Sequence, residues 1–215
     1  MNSRLALLVV PLLLTVAGCT SGTADDEPAP RPAAAERPSP FRDCAGLSTA
    51  PTAASPGAGT AASPGSATAT STTGGQELPE LTLACFTGGS PIALRDVAGP
   101  AVINVWASWC PPCQKELPAF QRLSVRAAGQ LQVIGVNSRD TRSAAQSTGE
   151  DIGIRFPILV DQGEALQREL KRNFFPMTIF VGADGRIRHI DASGALDDAQ
   201  LAKLVRQHLG LAVPA

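Results

Sequence analysis

Short apolar runs separated by helical patterns occupy the second half of the chain. The runs at 101–107, 131–136 and 177–181 are dominated by aliphatic residues, which predicts buried strands. A helix is predicted from Cys113 to Ala128, because apolar residues recur there at three- and four-residue intervals. The face that they share carries Leu117, Phe120, Leu123 and Ala127.

Two further helices are predicted towards the C-terminus. One lies near 163–172, after a short apolar segment. The last begins at Asp197, with Gln200 three residues later as a capping partner, and ends near Gly210. Both follow strand patterns, so strands and helices alternate along this part of the chain.

A turn signal joins the last two strands. Ala183-Asp184-Gly185 predicts that 186–190 pairs antiparallel with 177–181. Strand–helix–strand units followed by a hairpin and a helix predict an α/β fold, a mixed central sheet with helices on both faces.

The first third of the chain has a different composition. From Ala45 to Gly75 every residue except Leu47 is Ala, Gly, Ser, Thr or Pro, and such a stretch buries too little apolar surface to offset its ordering entropy. Eight of the nine aromatic residues lie at or after Phe86. We therefore predict a flexible tether over 19–75 and one folded domain over 76–215.

The N-terminus has the pattern of an export signal over 1–18. Arg4 precedes an apolar run from Leu5 to Ala17, which is shorter than the roughly 20 residues of a spanning helix. The run ends in Val16-Ala17-Gly18-Cys19, which resembles a bacterial lipoprotein processing site and implies a lipid on the Cys19 sulfur. The alternative is a secretory signal with an incidental cysteine. Either case predicts a compartment in which disulfides persist.

The charge balance and the distribution of metal-ligating residues argue against two classes of function, nucleic-acid binding and metal binding. The 18 Lys and Arg residues nearly balance the 19 Asp and Glu residues, so no electrostatic footprint for nucleic acid is present. His189 and His208 are the only histidines, and the sequence shows no metal-ligand constellation. We expect neither a metal nor another cofactor.

The strongest chemical signal is the motif Cys110-Pro111-Pro112-Cys113, between a predicted strand and a predicted helix. On the first turn of a helix, two cysteines at this spacing lie within disulfide reach. Unpaired backbone N–H groups and the helix dipole favour the thiolate of the first cysteine, and the thiolate is the attacking species. A zinc ribbon needs two more ligands, and haem attachment needs His instead of Gln114. An inert structural disulfide remains an alternative.

The segment from Val102 to Pro118 resembles the active-site segment of the thioredoxin superfamily, and within it the TlpA/ResA-like extracytoplasmic thiol–disulfide oxidoreductases. Pro118 matches the proline that kinks the active-site helix. Phe175-Pro176 matches the cis-proline loop that faces the cysteines in this superfamily. The resemblance implies a thioredoxin-like fold in which Trp109, Phe175 and Pro176 contact the substrate.

The same resemblance implies the activity. Cys110 attacks a disulfide and Cys113 resolves the mixed disulfide. Relatives reduce exported cysteine-containing proteins, often in cytochrome c maturation, with electrons from a membrane thiol carrier. We expect a monomer anchored by lipid to the outer face of the bacterial cytoplasmic membrane. The alternatives are a disulfide-forming oxidant, a non-enzymatic binding module, and a thiol peroxidase, against which Ala107 counts because those enzymes usually carry Thr there.

Two polar residues flank the motif. Asn104, six residues before Cys110, stands where cytoplasmic thioredoxins resemble each other in carrying a buried Asp. Glu116, three residues after Cys113, matches an acidic residue that ResA-like proteins hold close to the cysteines. This likeness implies that Glu116 takes part in proton transfer for Cys113. The alternative is a solvated glutamate on the helix surface.

Cys44 and Cys85 are the remaining cysteines of the mature chain. In an exported protein, two leftover cysteines favour a structural disulfide. Two reduced thiols, or a relay thiol that serves Cys113, are the alternatives.

Overall fold

The computed structural model describes residues 37–51 and 75–214. The described residues form one mixed sheet flanked by helices. The strands are β1 (Gln76–Glu77), β2 (Thr82–Cys85), β3 (Ile92–Ala93), β4 (Ala101–Trp106), β5 (Gln132–Ser138), β6 (Ile158–Asp161), β7 (Met177–Val181) and β8 (Arg186–Asp191). The helices are α1 (Pro111–Arg126), α2 (Arg142–Ile152), α3 (Ala165–Glu169) and α4 (Asp198–Leu209), with a short 3-10 turn at Leu94–Asp96.

The sheet has the strand order β1-β8-β7-β4-β5-β6-β2-β3. Strands β4, β5 and β6 run parallel at its centre, and β7 pairs antiparallel with both β4 and β8. The predicted hairpin between 177–181 and 186–190 is confirmed, with a register shift between Phe180 and Val181.

Side chains alternate along β4 between two apolar cores. Val102 and Trp106 pack in one core with residues of α1 and α4, whereas Ile103 and Val105 pack in the other. The second core includes Leu166 of α3 and residues from the N-terminal part of the chain. The predicted mixed sheet with helices on both faces is therefore confirmed.

Two helices differ from the sequence-based prediction. Helix α2 was not predicted, because only Ala145 and Gly149 of its residues are buried and an apolar stripe is missing. Its N-cap signal is present, since the Thr141 hydroxyl accepts a hydrogen bond from the amide of Ala144 at 3.3 Å. The helix predicted near 163–172 is shorter and covers Ala165–Glu169.

Part of the predicted tether is packed against the domain. Phe41 and Leu47 are buried, and the ring of Phe41 meets that of Phe86 edge-on at 4.8 Å. The sulfur atoms of Cys44 and Cys85 are bonded at 1.99 Å. The flexible-tether prediction is therefore corrected for residues 38–51, because apolar side chains and a covalent bond hold a segment that composition alone assigns to the tether.

The other N-terminal predictions fall elsewhere in the chain. The predicted leader, Cys19 and the remainder of the predicted tether to Gly74 lie outside the described residues. Among the residues that are described, none of the helices is long and apolar enough to cross a membrane.

Candidate active site

The two cysteines of the motif lie where β4 gives way to α1. Cys110 is the N-cap of α1, and its sulfur is bonded to that of Cys113 at 2.05 Å. The amide of Cys113 donates a hydrogen bond to the Cys110 sulfur at 3.2 Å. Cys113 is fully buried, whereas Cys110 retains 4% of its surface. Cys110 is therefore the less buried of two buried cysteines.

The helix start favours negative charge on the Cys110 sulfur. The first amides of a helix have no partner within it, and the helix dipole places partial positive charge there. Pro111 and Pro112 occupy the first two positions, where a missing N–H costs nothing. The Cys113 amide, the first one available, already points at the Cys110 sulfur. This arrangement stabilises a thiolate once the disulfide is reduced.

Aromatic side chains form the outer wall of the site. Trp109, next to Cys110, is 52% exposed, and its ring meets that of Phe175 edge-on at 5.1 Å. The Phe175–Pro176 peptide bond is cis. The structure therefore brings the three predicted substrate-contacting residues into one region beside the cysteine pair.

A buried carboxylate holds the segment in front of the cysteines. Asp140 accepts hydrogen bonds from the Ser108 amide at 2.5 Å and from the Ser108 hydroxyl at 2.6 Å. It also accepts from the Asn137 side chain at 2.9 Å and from the Thr141 amide at 2.8 Å. Asp140 thereby ties the end of β5 and the start of α2 to the residues that lead into Cys110.

The Trp109 side chain is fixed from the same loop. Its indole N–H donates to the Arg139 carbonyl at 2.7 Å, and the Arg139 guanidinium lies 5.7 Å from the ring centroid. Sequence reasoning missed Arg139 and Asp140, because a polar loop after a strand carries no motif that links it to a distant cysteine. The only signal was their position at the carboxyl end of a strand parallel to β4.

Glu116 lies in the core, one helical turn after Cys113. Its Oε1 accepts a hydrogen bond from Asn104 at 2.6 Å, and its Oε2 accepts one from the Leu196 amide at 3.0 Å. Burial raises the pKa of Glu116 to about 7, and the two hydrogen bonds lower it only in part. The solvated-surface alternative for Glu116 is wrong, because only 1% of the residue is exposed.

The two histidines lie on elements other than the one that carries the cysteine pair. His189 of β8 and His208 of α4 stack with their ring centroids 4.0 Å apart. Burial, followed by the proximity of His189, lowers the pKa of His208. Within the described residues there is no group of three or more His, Cys, Asp and Glu side chains that could hold a metal ion.

The fold and the bonded cysteine pair at a strand-to-helix junction define a thioredoxin-like thiol–disulfide oxidoreductase. The chain belongs to the AhpC/TSA family, which it matches over residues 74–190, more than half of its length. This stretch contains the motif, the buried Glu116 and the Phe175–Pro176 loop.

Two curated bacterial proteins show the similarity in sequence. The chain is 29% identical to the thioredoxin-like protein YneN of Bacillus subtilis over 120 residues, 54% of this chain and 69% of that one. It is 26% identical to the thiol-disulfide oxidoreductase ResA of Bacillus anthracis over 115 residues, 53% of this chain and 66% of that one. The matched segments thus span about two thirds of these relatives.

A solved structure shows the similarity in fold. A secreted disulfide oxidoreductase of Mycobacterium tuberculosis, described as homologous to Escherichia coli DsbE, superposes with a TM-score of 0.53 at 22% identity. The match covers 60% of this chain and 96% of that one. The predicted thioredoxin-like fold is thereby confirmed.

Proposed function

We propose that this protein exchanges disulfides with exported cysteine-containing proteins, and that it acts as their reductase. The observation that carries the proposal is the bond between Cys110 and Cys113 at the N-terminus of α1, where Cys110 is the N-cap and the less buried of the two. Both cysteines are buried, but Cys110 is the less buried of the two and directly follows Trp109, whose side chain is 52% exposed. The pair therefore lies beside a surface that a substrate can contact.

The reaction follows from the different surroundings of the two sulfurs. In the reduced protein, the Cys110 thiolate attacks a substrate disulfide, forms a mixed disulfide and releases one substrate thiolate. Cys113 then loses its proton and attacks the Cys110 sulfur, which releases the second substrate thiolate. The substrate gains two electrons, and the protein loses two as its own disulfide forms.

We assign Glu116 to the second step. A carboxylate whose pKa lies near 7 is half-protonated at neutral pH, so it accepts and returns a proton readily. Glu116 follows Cys113 by three residues on the same helix, a spacing that places side chains on one face. Its burial keeps bulk water from replacing it as the proton acceptor.

The outer wall provides the substrate site. Trp109 offers an exposed ring next to Cys110, and Phe175 packs against that ring. We propose that the Phe175–Pro176 segment holds an extended stretch of the substrate beside the cysteines, as an added strand. This wall would serve a disulfide-forming oxidant as well as a disulfide reductase. Whether the protein oxidises or reduces its substrate depends on the reduction potential of the cysteine pair.

The setting of the reaction is part of the same proposal. The N-terminal pattern supports export and a lipid on Cys19, which would hold the domain at the outer face of the cytoplasmic membrane. A membrane thiol carrier would then return electrons to the Cys110–Cys113 disulfide, and cytochrome c maturation is one process that would use them. The similar Mycobacterium tuberculosis disulfide oxidoreductase is described as secreted, which supports the export part of this setting.

The thiol-peroxidase alternative has less support. The residue three positions before Cys110 is Ala107, which is buried and has no hydroxyl for a peroxide. The cysteine spacing of the pair also provides a resolving thiol within the same turn, which suits a protein disulfide as substrate.

Trapping tests the function. A Cys113→Ser variant of the full chain should accumulate a mixed disulfide between Cys110 and an exported protein, which non-reducing electrophoresis and peptide mass spectrometry detect. The control is Cys110→Ser, which should trap none. Equal trapping by both variants, or by neither, would contradict the assigned roles.

A further inference from the structure

Three cationic residues lie near the aromatic wall of the site. One is in the last turn of α3, and the other two follow that helix. Arg168, Lys171 and Arg172 are exposed, and within the described residues none of them forms a salt bridge. With Glu164 and Asn173 they line a shallow groove of about 220 Å³. We call Arg168, Lys171 and Arg172 the basic rim.

Two routes connect the basic rim to the cysteine pair. Along the chain, Asn173 of the groove is followed by Phe174 and then by Phe175, whose ring contacts Trp109. Through space, Glu164 of the groove forms an ion pair with Arg139 at 3.1 Å, and Arg139 lies over the Trp109 ring. The rim and the exposed tryptophan are therefore parts of one continuous surface.

The backbone of this surface holds an uncommon conformation. Arg139, Glu164 and Lys171 have φ angles of 51°, 55° and 54°, and they are the non-glycine residues with positive φ in the described chain. Left-handed residues other than glycine cost free energy and tend to persist where a site requires them. Here Glu164 and Lys171 line the groove, and Arg139 forms an ion pair with Glu164.

The charge of the surface indicates what it binds. Arg139 is neutralised by Glu164, which leaves the basic rim facing solvent beside the site at which a substrate would lie. Carboxylates are the complementary groups, since unpaired guanidinium and ammonium groups attract them and repel cations.

We propose that the basic rim recognises acidic residues that flank the reactive cysteines of the substrate protein. This proposal rests on the proposed function and adds a substrate class to it. The rim would bind these carboxylates while the Phe175–Pro176 loop holds the backbone and Cys110 attacks. An anionic membrane surface is the alternative binding partner of the basic rim. The substrate is favoured because the rim is connected through Glu164 and Arg139 to Trp109, which is adjacent to Cys110.

The test is a comparison of two disulfide peptides. They have the same length and one internal disulfide, and their cysteines are flanked either by Glu or by Lys. The reduced full chain is mixed with each peptide, and single-turnover rates are measured by acid quench. Each turnover reduces the peptide disulfide to two thiols and oxidises Cys110 and Cys113. We expect the Glu peptide to react about tenfold faster at low salt, with the ratio falling towards one as salt rises.

Matched charge reversals identify the residues. Lys171→Glu with Arg172→Glu should reverse or abolish the preference, while Arg168 keeps its hydrogen bond to the Gly163 carbonyl. The control is Lys203→Glu with Arg206→Glu, which reverses one Lys and one Arg on the exposed side of α4. The control should keep the wild-type ratio. The readout is the rate with the Glu peptide divided by the rate with the Lys peptide, because a loss of activity that affects both peptides equally leaves this ratio unchanged.

The possible outcomes are distinct. An unchanged ratio in the rim variant, or a wild-type ratio near one, overturns the proposal. Rim-dependent binding to phosphatidylglycerol vesicles together with a wild-type ratio near one assigns the cations to the membrane and also overturns it. If the wild-type chain reduces neither peptide, the proposed function itself fails.

Discussion

Asn104 and Glu116 share a buried hydrogen bond of 2.6 Å that joins β4 to α1 behind the cysteine pair. Asn104 donates through Nδ2, and its Oδ1 has no hydrogen-bond partner among the described residues. The pair therefore suits an ionised Glu116. After protonation, rotation of the Asn104 amide would present Oδ1 to the new hydroxyl, so that either state of Glu116 can be bonded.

Glutamine at position 116 should remove a pH dependence from the activity. In the wild type we expect the release of substrate from the mixed disulfide to quicken as pH rises through about 7, because Glu116 then becomes a base. The Glu116→Gln variant should lose this inflection and react about a hundredfold more slowly at pH 8. Stopped-flow measurement of the release step across pH 5–9 checks this.

The Glu116→Gln variant should keep its hydrogen bond to Asn104, so it tests proton transfer without disturbing the fold. After rotation of the Asn104 amide, its Oδ1 can accept a hydrogen bond from the side-chain amide that Glu116→Gln introduces, so the fold should be retained. Identical pH profiles for the variant and the wild type would remove Glu116 from the mechanism.

The same carboxyl should make stability depend on pH. Its pKa is about 7 in the folded state and ordinarily 4.5, so the folded state binds more protons between these values. The stabilisation is fully present below pH 4.5 and is lost as pH rises through 7. Relative to Glu116→Gln, the free energy of unfolding should fall by roughly 3 kcal/mol over this range. Denaturant titrations of both proteins at pH 5 and pH 8 measure it, and parallel curves would contradict it.

Removal of the Cys44–Cys85 disulfide should lower stability without affecting exchange. The bond links residues 41 apart in sequence, and closing a loop of that size contributes roughly 4 kcal/mol in the chain-entropy description. The Cys44→Ala, Cys85→Ala double variant should lose about that much in urea titration. A loss of Cys110 trapping in a folded double variant would instead indicate a relay thiol.

Asp140 should be required for the geometry of the site. Its two carboxylate oxygens accept hydrogen bonds from four donors at the junction of β5, α2 and Ser108, and Asn retains only one of these oxygens. We expect Asp140→Asn to lower the free energy of unfolding by about 3 kcal/mol. Asp151→Asn, at an exposed position of α2, is the matched control and should change it little. Equal effects of the two substitutions would show that the Asp140 contacts are dispensable.

The sequence was most informative where one local signal determined the structure. Asp197 and Gln200 form the predicted capping box at the start of α4, and the turn at 183–185 joins the predicted hairpin. Both depend on residues a few positions apart. The motif at Cys110 and Cys113 is equally local, which is why it could be placed at the start of a helix.

The sequence was least informative where contacts join distant segments. Asn104 and Glu116 were noted separately, but their bond depends on how α1 packs against β4. The burial of Phe41 depends on Phe86 and on the bond between Cys44 and Cys85, which composition cannot reveal. The basic rim is also connected to Trp109 through Glu164 and Arg139, and no spacing rule links these residues.

The most direct test of the central claim is the rate at which iodoacetamide alkylates each active-site cysteine of the reduced chain at pH 7. The account predicts that Cys110 reacts at least about tenfold faster than free cysteine, because the helix N-terminus favours its thiolate, and that buried Cys113 reacts slowly. Alkylation of Cys110 no faster than that of free cysteine, or faster alkylation of Cys113, would contradict it.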